Sequence, residues 1–95
     1  MDTAPANNEQ HNQDTLNRMN AIDKALGAQI HAQRSRRGWS RKRLAEQTRS
    51  SKKAIAQMES GARPITVREL YRVCMVLRVE PRDLVIAAQA EAETG

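Results

Sequence analysis

Apolar side chains recur at steps of three and four residues along most of the chain, and this spacing is typical of amphipathic helices. The first such series consists of Leu16, Met19, Ile22, Leu26 and Ile30. Asp14 or Thr15 could cap the helix that carries it. Gly27 interrupts the series and leaves two possibilities open, namely one helix from about residue 15 to 36 or two helices that meet near Lys24.

The segment before this helix, residues 1–13, is polar, rich in Asn and Gln, and without apolar periodicity, which predicts a disordered tail. Residues 14–25 then form a helical extension at the amino-terminal end. Residues 26–92 contain the remaining apolar series and form a single folded domain, and residues 93–95 form a second tail.

Two short helices follow, and local signals mark where they begin and end. Ser40 caps a second helix over residues 41–48. A brief turn, residues 49–50, leads to a third helix over about residues 51–60, which Gly61 ends. These two helices and their turn are the shortest elements predicted for the chain.

Two further helices complete the chain. Thr66 and Glu69 form a capping box that starts the fourth helix, which runs to about Leu77, and Pro81 at a first helical position opens the fifth. The side chains expected to be buried on the fourth helix are Val67, Leu70, Val73, Cys74 and Leu77. Because no run alternates with the period of a strand, the sequence predicts an all-α fold, a five-helix orthogonal bundle.

The composition agrees with a helical domain and excludes several functions. Apolar residues make up 39% of the chain but aromatic residues only 2%, so the core is built from Leu, Ile, Val, Met and Ala. The single cysteine, Cys74, excludes an internal disulfide, and it lies far from His11 and His31, so no metal-ligand spacing exists. No acid–base pair or catalytic motif is present, and we expect neither an enzyme nor a cofactor.

Targeting signals are also missing from the sequence. The longest apolar run, Leu84–Ala88, is too short to span a bilayer. The first ten residues lack the basic and apolar pattern of a secretory signal. We therefore expect a soluble, cytoplasmic protein without membrane contact.

The net charge of +5 is concentrated in one segment. Residues 31–53 contain nine Lys or Arg and one acidic residue, Glu46, whereas the rest of the chain has seven basic and ten acidic residues. Such a local excess of cations is the electrostatic footprint of a surface that binds phosphates.

The basic segment includes two short helices and a tight turn with the dimensions of a helix-turn-helix. On the third helix, Ile55 and Met58 point to the core. The opposite face carries Lys53, Ala56, Gln57 and Ser60, with Lys52 at its edge. A helix of this kind fits the major groove of DNA, where Lys can donate to guanine and Gln57 can pair with adenine through two hydrogen bonds.

The segment from Leu26 to Leu84 resembles the helix-turn-helix domain of the lambdoid repressor and Cro (XRE-type) family. The positions that carry the resemblance are Leu26, Ile30, Gly38, Trp39, Ser40, Leu44, Ala45, Ile55, Met58, Glu59, Gly61, Val67, Leu70, Val73, Leu77, Val79 and Leu84. The resemblance implies a lambda-repressor-like fold and a sequence-specific DNA-binding transcription regulator, either a repressor or an autoregulator.

Carried over by position, the resemblance implies base contacts from the third helix and phosphate contacts around it. The expected base-reading residues are Lys52, Lys53 and Gln57. With the cations beside the motif included, the expected phosphate-binding residues are Arg41, Lys42, Arg49, Ser51 and Arg63. Arg34 and Glu59 match positions that form a buried ion pair in some phage repressors.

The sequence departs from the family pattern at two corners, where Arg49 and Arg78 replace a frequent Gly. We expect these corners to be strained or rearranged, because the left-handed conformation costs a non-Gly residue about 1 kcal/mol. The second helix also begins with three basic residues, 41–43, at the positive end of its dipole, and a bound phosphate would relieve that repulsion.

Several other residues are expected to have structural roles only. Trp39 packs in the core, Cys74 is a buried and inert thiol, and His31 is exposed and incidental. The methionines expected to fill the core or an interface are Met19, Met58 and Met75.

Double-stranded DNA is the expected partner, bound by a homodimer on a pseudo-palindromic operator. The dimer or partner surface is either Val85 and Ile86 on the fifth helix or the stripe of Leu16, Met19 and Ile22, because an exposed apolar stripe usually has a partner. The alternative is a protein-binding module of the same fold, such as an antiactivator or an antitoxin, and a regulatory protein could bind in either case.

Overall fold

The computed structural model describes residues 4–94, and every regular element in this range is a helix. The helices are α1 (Ala4–Arg36), α2 (Arg41–Thr48), α3 (Lys52–Ser60), α4 (Val67–Leu77) and α5 (Pro81–Thr94). α1 packs against α5 and α3, and α2 packs against α3 and α4. The all-α, five-helix fold that the sequence predicts is confirmed.

α1 is one continuous helix of 33 residues, which decides between the two arrangements left open at Gly27. It begins at Ala4, so residues 4–13 are helical where the sequence predicted a disordered tail; residues 1–3 and 95 lie outside the described part. A helix extends easily once it is nucleated, because each further residue adds a backbone hydrogen bond. The side chains of residues 11–20 are all exposed.

Gly27 lies where α1 crosses α3, and it has a packing role in that contact. A Cβ atom at this position would lie 2.2 Å from the carbonyl oxygen of Met58 and 2.6 Å from that of Glu59. The two helix backbones therefore approach each other at a distance that only glycine permits. Its low helix propensity, about 1 kcal/mol below alanine, is the cost of this close approach.

The core receives at least one side chain from each helix. Buried examples, in chain order, are Ile30, Leu44, Ile55, Val73 and Leu84. Trp39 is half-buried and packs against this core. Burial, with a smaller effect of Glu80, raises the pKa of the Cys74 thiol to about 11, so the thiol stays protonated at neutral pH.

One expected core residue lies outside the core. Val67 is 71% exposed, and it forms an outer series on α4 with Tyr71 and Met75, which are also exposed. These three residues are spaced by four, so they follow one edge of the helix while Leu70 and Leu77 face inward. The prediction that Val67 is buried is therefore wrong, and Met75 does not fill the core.

The two corners without glycine keep a left-handed conformation. Arg49 has φ 56° and Arg78 has φ 59°, and each is the residue that ends its helix. The backbone N–H of Arg49 donates to the carbonyl groups of Ala45 and Glu46, as expected for such a cap. The corners are therefore strained and not rearranged.

Candidate nucleic-acid interface

The turn between α2 and α3 is fixed by hydroxyl side chains. Ser40 caps α2 by accepting from the backbone N–H of Arg43, and Ser51 caps α3 by accepting from that of Ala54, each at 3.0 Å. Thr48 is buried in the turn, where its hydroxyl donates to the carbonyl oxygen of Leu44 at 2.7 Å. The two caps fix where α2 and α3 begin, and the bond from Thr48 satisfies a carbonyl group in the last turn of α2.

α3 has one buried and one outward face. Ile55 and Met58 are at most 1% exposed. Lys52 and Lys53 are exposed and make no side-chain hydrogen bond or ion pair with any of residues 11–94, and Gln57 is half-buried beside them. The division of α3 into these two faces follows the spacing in the sequence.

Glu59 is the centre of a cluster of charged side chains beneath the motif. Its carboxylate is 2% exposed, and Arg34, 11% exposed, donates to it from Nε at 2.6 Å and from Nη2 at 3.0 Å. Arg34 also donates from Nη1 to the carbonyl oxygen of Trp39 at 2.8 Å. The structure thus brings together Arg34 and Glu59, and the pair joins the end of α1 to α3 and to the segment before α2.

The same carboxylate has two further partners, Arg41 and His31. Arg41 Nε donates to Oε1 at 3.0 Å, and His31 Nδ1 lies 3.2 Å from that atom and from Arg34 Nη2. The role of Nδ1 as donor or acceptor therefore depends on the protonation of the ring. The prediction that His31 is incidental is wrong, because the packing of α1 on α3 brings it into the cluster.

These contacts set the ionisation of the buried pair. Burial disfavours the charged form of Glu59, but hydrogen bonds from Arg34, Arg41 and His31 outweigh it and hold the pKa of Glu59 below its usual 4.5. The hydrogen bond to Glu59 raises the pKa of Arg34, against the smaller opposing effect of burial. Both groups are therefore charged at neutral pH.

Arg41, expected to bind phosphate, is thus partly engaged within the protein. Only its Nε bonds to Glu59, and the side chain is 48% exposed. Its two terminal nitrogen atoms donate to none of the side chains or backbone groups of residues 11–94. The contact with Glu59 holds the guanidinium at the start of α2 and leaves those donors for a ligand.

Arg63, also expected to bind phosphate, makes several contacts within the protein. Its Nη1 and Nη2 donate to the two carboxylate oxygens of Glu69 at 3.0 and 2.8 Å, and its Nε donates to Oε1 of Gln57 at 3.3 Å. Hydrogen bonds from Arg63, more than those from Thr66, lower the pKa of Glu69 from 4.5 to about 2. A phosphate at Arg63 would have to compete with these partners.

The remaining expected phosphate-binding residues lie in the first turn of α2 and in the turn between α2 and α3. Lys42 and Arg49 are exposed, and Ser51 is exposed at the start of α3. Sequence reasoning did not single out Arg43, whose guanidinium stacks 4.4 Å from the centre of the Trp39 ring. The half-buried Trp39, which lies just before the N-cap of α2, thus holds the side chain of Arg43 at the start of that helix.

The two candidate partner surfaces differ in exposure. Leu16 and Met19 on α1 are 50% and 55% exposed, while Ile22 packs partly against the core. On α5, Ile86 is 56% exposed and Val85 is half-buried against the core. Both surfaces therefore retain exposed apolar side chains.

The described part of the chain shows neither a metal-ligand cluster nor a membrane-spanning helix. Within it, no three His, Cys, Asp or Glu side chains are grouped so that they could hold a metal ion. None of the described helices has the length and apolar character needed to cross a membrane.

The fold and the motif define a helix-turn-helix protein, and the family model for the helix-turn-helix domain matches residues 25–87. The chain belongs to this family, and it is of the XRE type, a class of DNA-binding transcription regulators. No curated protein sequence matches the chain.

Solved structures of other proteins are similar to it, and they include the following two. The clp gene regulator ClgR from Corynebacterium glutamicum has a TM-score of 0.74 at 27% identity, over 77% of this chain and 78% of that one. The restriction-modification controller protein C.AhdI from Aeromonas hydrophila has a TM-score of 0.62 at 23% identity, over 64% of this chain and 92% of that one, and it supports the fold alone.

Proposed function

We propose that this protein regulates transcription by inserting α3 into the major groove of a specific DNA site. The observation that carries the proposal is the outward face of α3, where Lys52 and Lys53 are exposed and free of partners among residues 11–94. Ile55 and Met58 hold the opposite face in the core. A short helix presented in this way fits a groove about 12 Å wide.

Phosphate contacts would come from the start of α2 and from the turn that precedes α3. The first turn of α2 carries three basic residues, 41–43, at the positive end of the helix dipole, where an anion is favoured. Lys42 and Arg49 are exposed, and the hydroxyl of Ser51 is available to donate because its oxygen accepts the cap bond. Together with the two terminal nitrogens of Arg41, these groups would bind the phosphates of one DNA strand.

A homodimer would place two copies of α3 on a pseudo-palindromic operator, in half-sites roughly 34–36 Å apart. The exposed apolar side chains of α1 and α5 are the surfaces that could pair, namely Leu16 and Met19 on one and Ile86 on the other. Repression or autoregulation is the expected outcome of such binding at a promoter.

Fluorescence anisotropy with a selected duplex, at several salt concentrations, tests the proposal. We expect the logarithm of affinity to fall linearly with that of salt, with a slope of about −0.9 per phosphate contacted. Lys42→Ala should make this slope shallower by about one, and the Lys52→Ala/Lys53→Ala double variant should lose sequence preference. Arg82→Ala, an exposed position on α5, is the control.

The alternative, a protein-binding module, makes the opposite prediction. In that case the lysine variants would bind a partner protein as well as the wild type does, and neither would change DNA affinity. The departures from the family pattern at Arg49 and Arg78 do not support this alternative, because both residues keep the left-handed geometry of a helix cap.

A further inference from the structure

Gln57 lies on the outward face of α3, and its side-chain oxygen is already engaged. Arg63, in the loop between α3 and α4, donates from Nε to Oε1 of Gln57 at 3.3 Å. We propose that Arg63, held by Glu69, fixes the orientation of the Gln57 amide and thereby sets the base that α3 selects. This inference rests on the proposed function and names the specificity of the same surface.

Arg63 is held firmly enough to orient another side chain. Its Nη1 and Nη2 bond to the two oxygens of Glu69 at 3.0 and 2.8 Å, a bidentate arrangement that fixes the plane of the guanidinium. Nη1 also donates to the carbonyl oxygen of Pro64 at 3.0 Å. Side-chain entropy that would otherwise oppose the contact with Gln57 is therefore already lost.

Glu69 is in turn fixed by the start of α4. Its Oε1 accepts from the backbone N–H and the hydroxyl of Thr66 at 3.0 and 3.2 Å, and its own N–H donates to that hydroxyl at 3.0 Å. The capping box thus has a second use, because the same carboxylate that caps α4 also positions Arg63. A continuous series of hydrogen bonds runs from Thr66 to Gln57.

The chemistry of the guanidinium determines which way the amide turns. Arg63 has only donors, so the Gln57 oxygen must face it and the NH2 group must face away. That NH2 group makes no hydrogen bond to residues 11–94, so Gln57 offers its two donors to a ligand. With the oxygen turned inward, the amide has no acceptor for the N6 amino group of adenine.

Guanine is the base that fits two outward donors, since its O6 and N7 are both acceptors in the major groove. We therefore expect guanine at the base pair contacted by Gln57, in place of the adenine that an unconstrained glutamine reads. Arg63 and Glu69 are positioning residues in this scheme, because they act on the base through Gln57.

Selection of duplexes from a randomised library tests the scheme. Gln57→Ala identifies the position that Gln57 reads, and the wild type should select guanine there. Arg63→Met frees the amide, and adenine should gain on guanine at that position by roughly tenfold. In the Gln57→Ala background, Arg63→Met should leave the base preference at that position unchanged. If the role of Arg63 were only structural, its loss would not depend on the presence of Gln57 in this way. Arg68→Met, an exposed arginine in the first turn of α4, is the matched control.

A second measurement needs no DNA and remains valid if Arg63→Met lowers stability. The side-chain NH2 of Gln57 should be ordered in 15N relaxation of the wild type, whereas that of Gln47, exposed on α2 without a hydrogen-bond partner among residues 11–94, should be mobile. Glu69→Gln keeps a residue that suits the capping box but loses the charged bidentate contact. It should increase the mobility of the Gln57 amide toward that of Gln47.

Three results would overturn the scheme. The first is a wild type that selects adenine at the Gln57 position, and the second is an Arg63→Met variant that keeps guanine there. The third is a Gln57 amide as mobile as that of Gln47 in the wild type. If the wild type bound no DNA, the proposed function itself would fail, and this outcome is distinct because no base preference would then exist.

Discussion

Glu59→Gln removes one negative charge from a carboxylate that is 2% exposed and has three cationic or potentially cationic partners. The variant leaves the Arg34 guanidinium, 11% exposed, without its counter-ion. Breaking a buried pair from one side costs about 3–5 kcal/mol. We expect the lower end, about 3 kcal/mol, because the Gln oxygen still accepts one bond and Arg41 can turn to solvent.

Equilibrium unfolding in urea, followed by far-UV circular dichroism at neutral pH, measures this loss. For a domain of this size, about 3 kcal/mol corresponds to a fall in the melting temperature of roughly 12–24 °C. Glu46→Gln is the control, because Glu46 is exposed on α2 and has no side-chain partner among residues 11–94. It should stay within about 0.5 kcal/mol of the wild type.

A double variant and a pH series separate charge from packing. Arg34→Met/Glu59→Met should recover most of the lost stability, since an apolar pair of similar length leaves no buried charge. The folded-state pKa of Glu59 is below 4.5, so its contribution is present above about pH 4.5 and disappears as the pH falls further. The difference between wild type and Glu59→Gln should therefore shrink in acid. A Glu59→Gln variant as stable as Glu46→Gln would refute the reasoning.

Three further outcomes follow from local geometry. Gly27→Ala would place a methyl carbon 2.2 Å from the Met58 carbonyl oxygen, so the free energy of unfolding should fall by about 1–3 kcal/mol, despite the better helix propensity of alanine. Urea unfolding measures this change, and a stabilised variant would contradict the close contact. Arg78→Gly relieves a φ of 59° and should raise stability by up to about 1 kcal/mol, whereas a lower thermal midpoint would count against strain at this corner. The hydrogen bond from Arg63 lowers the pKa of Glu69 from 4.5 to about 2, so its stabilisation is present above about pH 4.5 and is lost on acidification toward pH 2. Glu69→Gln should flatten this part of the acid unfolding curve, and superimposable curves would show that the ion pair does not stabilise the fold.

Where α2, α3 and α4 begin was predictable from the sequence, because the signals act within a few residues. Ser40, Ser51 and Thr66 each accept from a backbone N–H three residues later, and this contact forms in any chain that starts a helix there. The outward position of Lys53 and the inward position of Ile55 likewise follow from the period of a single helix. These features need no knowledge of the rest of the fold.

The length of α1 was less predictable. Residues 4–13 are polar, so they lack the apolar spacing by which a helix can be distinguished from a disordered tail in the sequence. The prediction that Val67 is buried failed for a related reason. Periodicity assigns a residue to a face of the helix but does not say how wide the buried part of that face is. Its 71% exposure is decided by what the neighbouring helices cover.

Contacts between distant segments depended on the tertiary structure. The Glu59 carboxylate contacts Arg34, Arg41 and His31, which are 18 to 28 residues away in the sequence. α1 can reach it because Gly27 lets this helix lie directly on the backbone of α3. No local sequence pattern specifies how one helix is aligned along another. The sequence could therefore place cations near the motif, but only the packing of α1, α3 and the start of α4 determined which of them bind within the protein and which have no partner among residues 11–94.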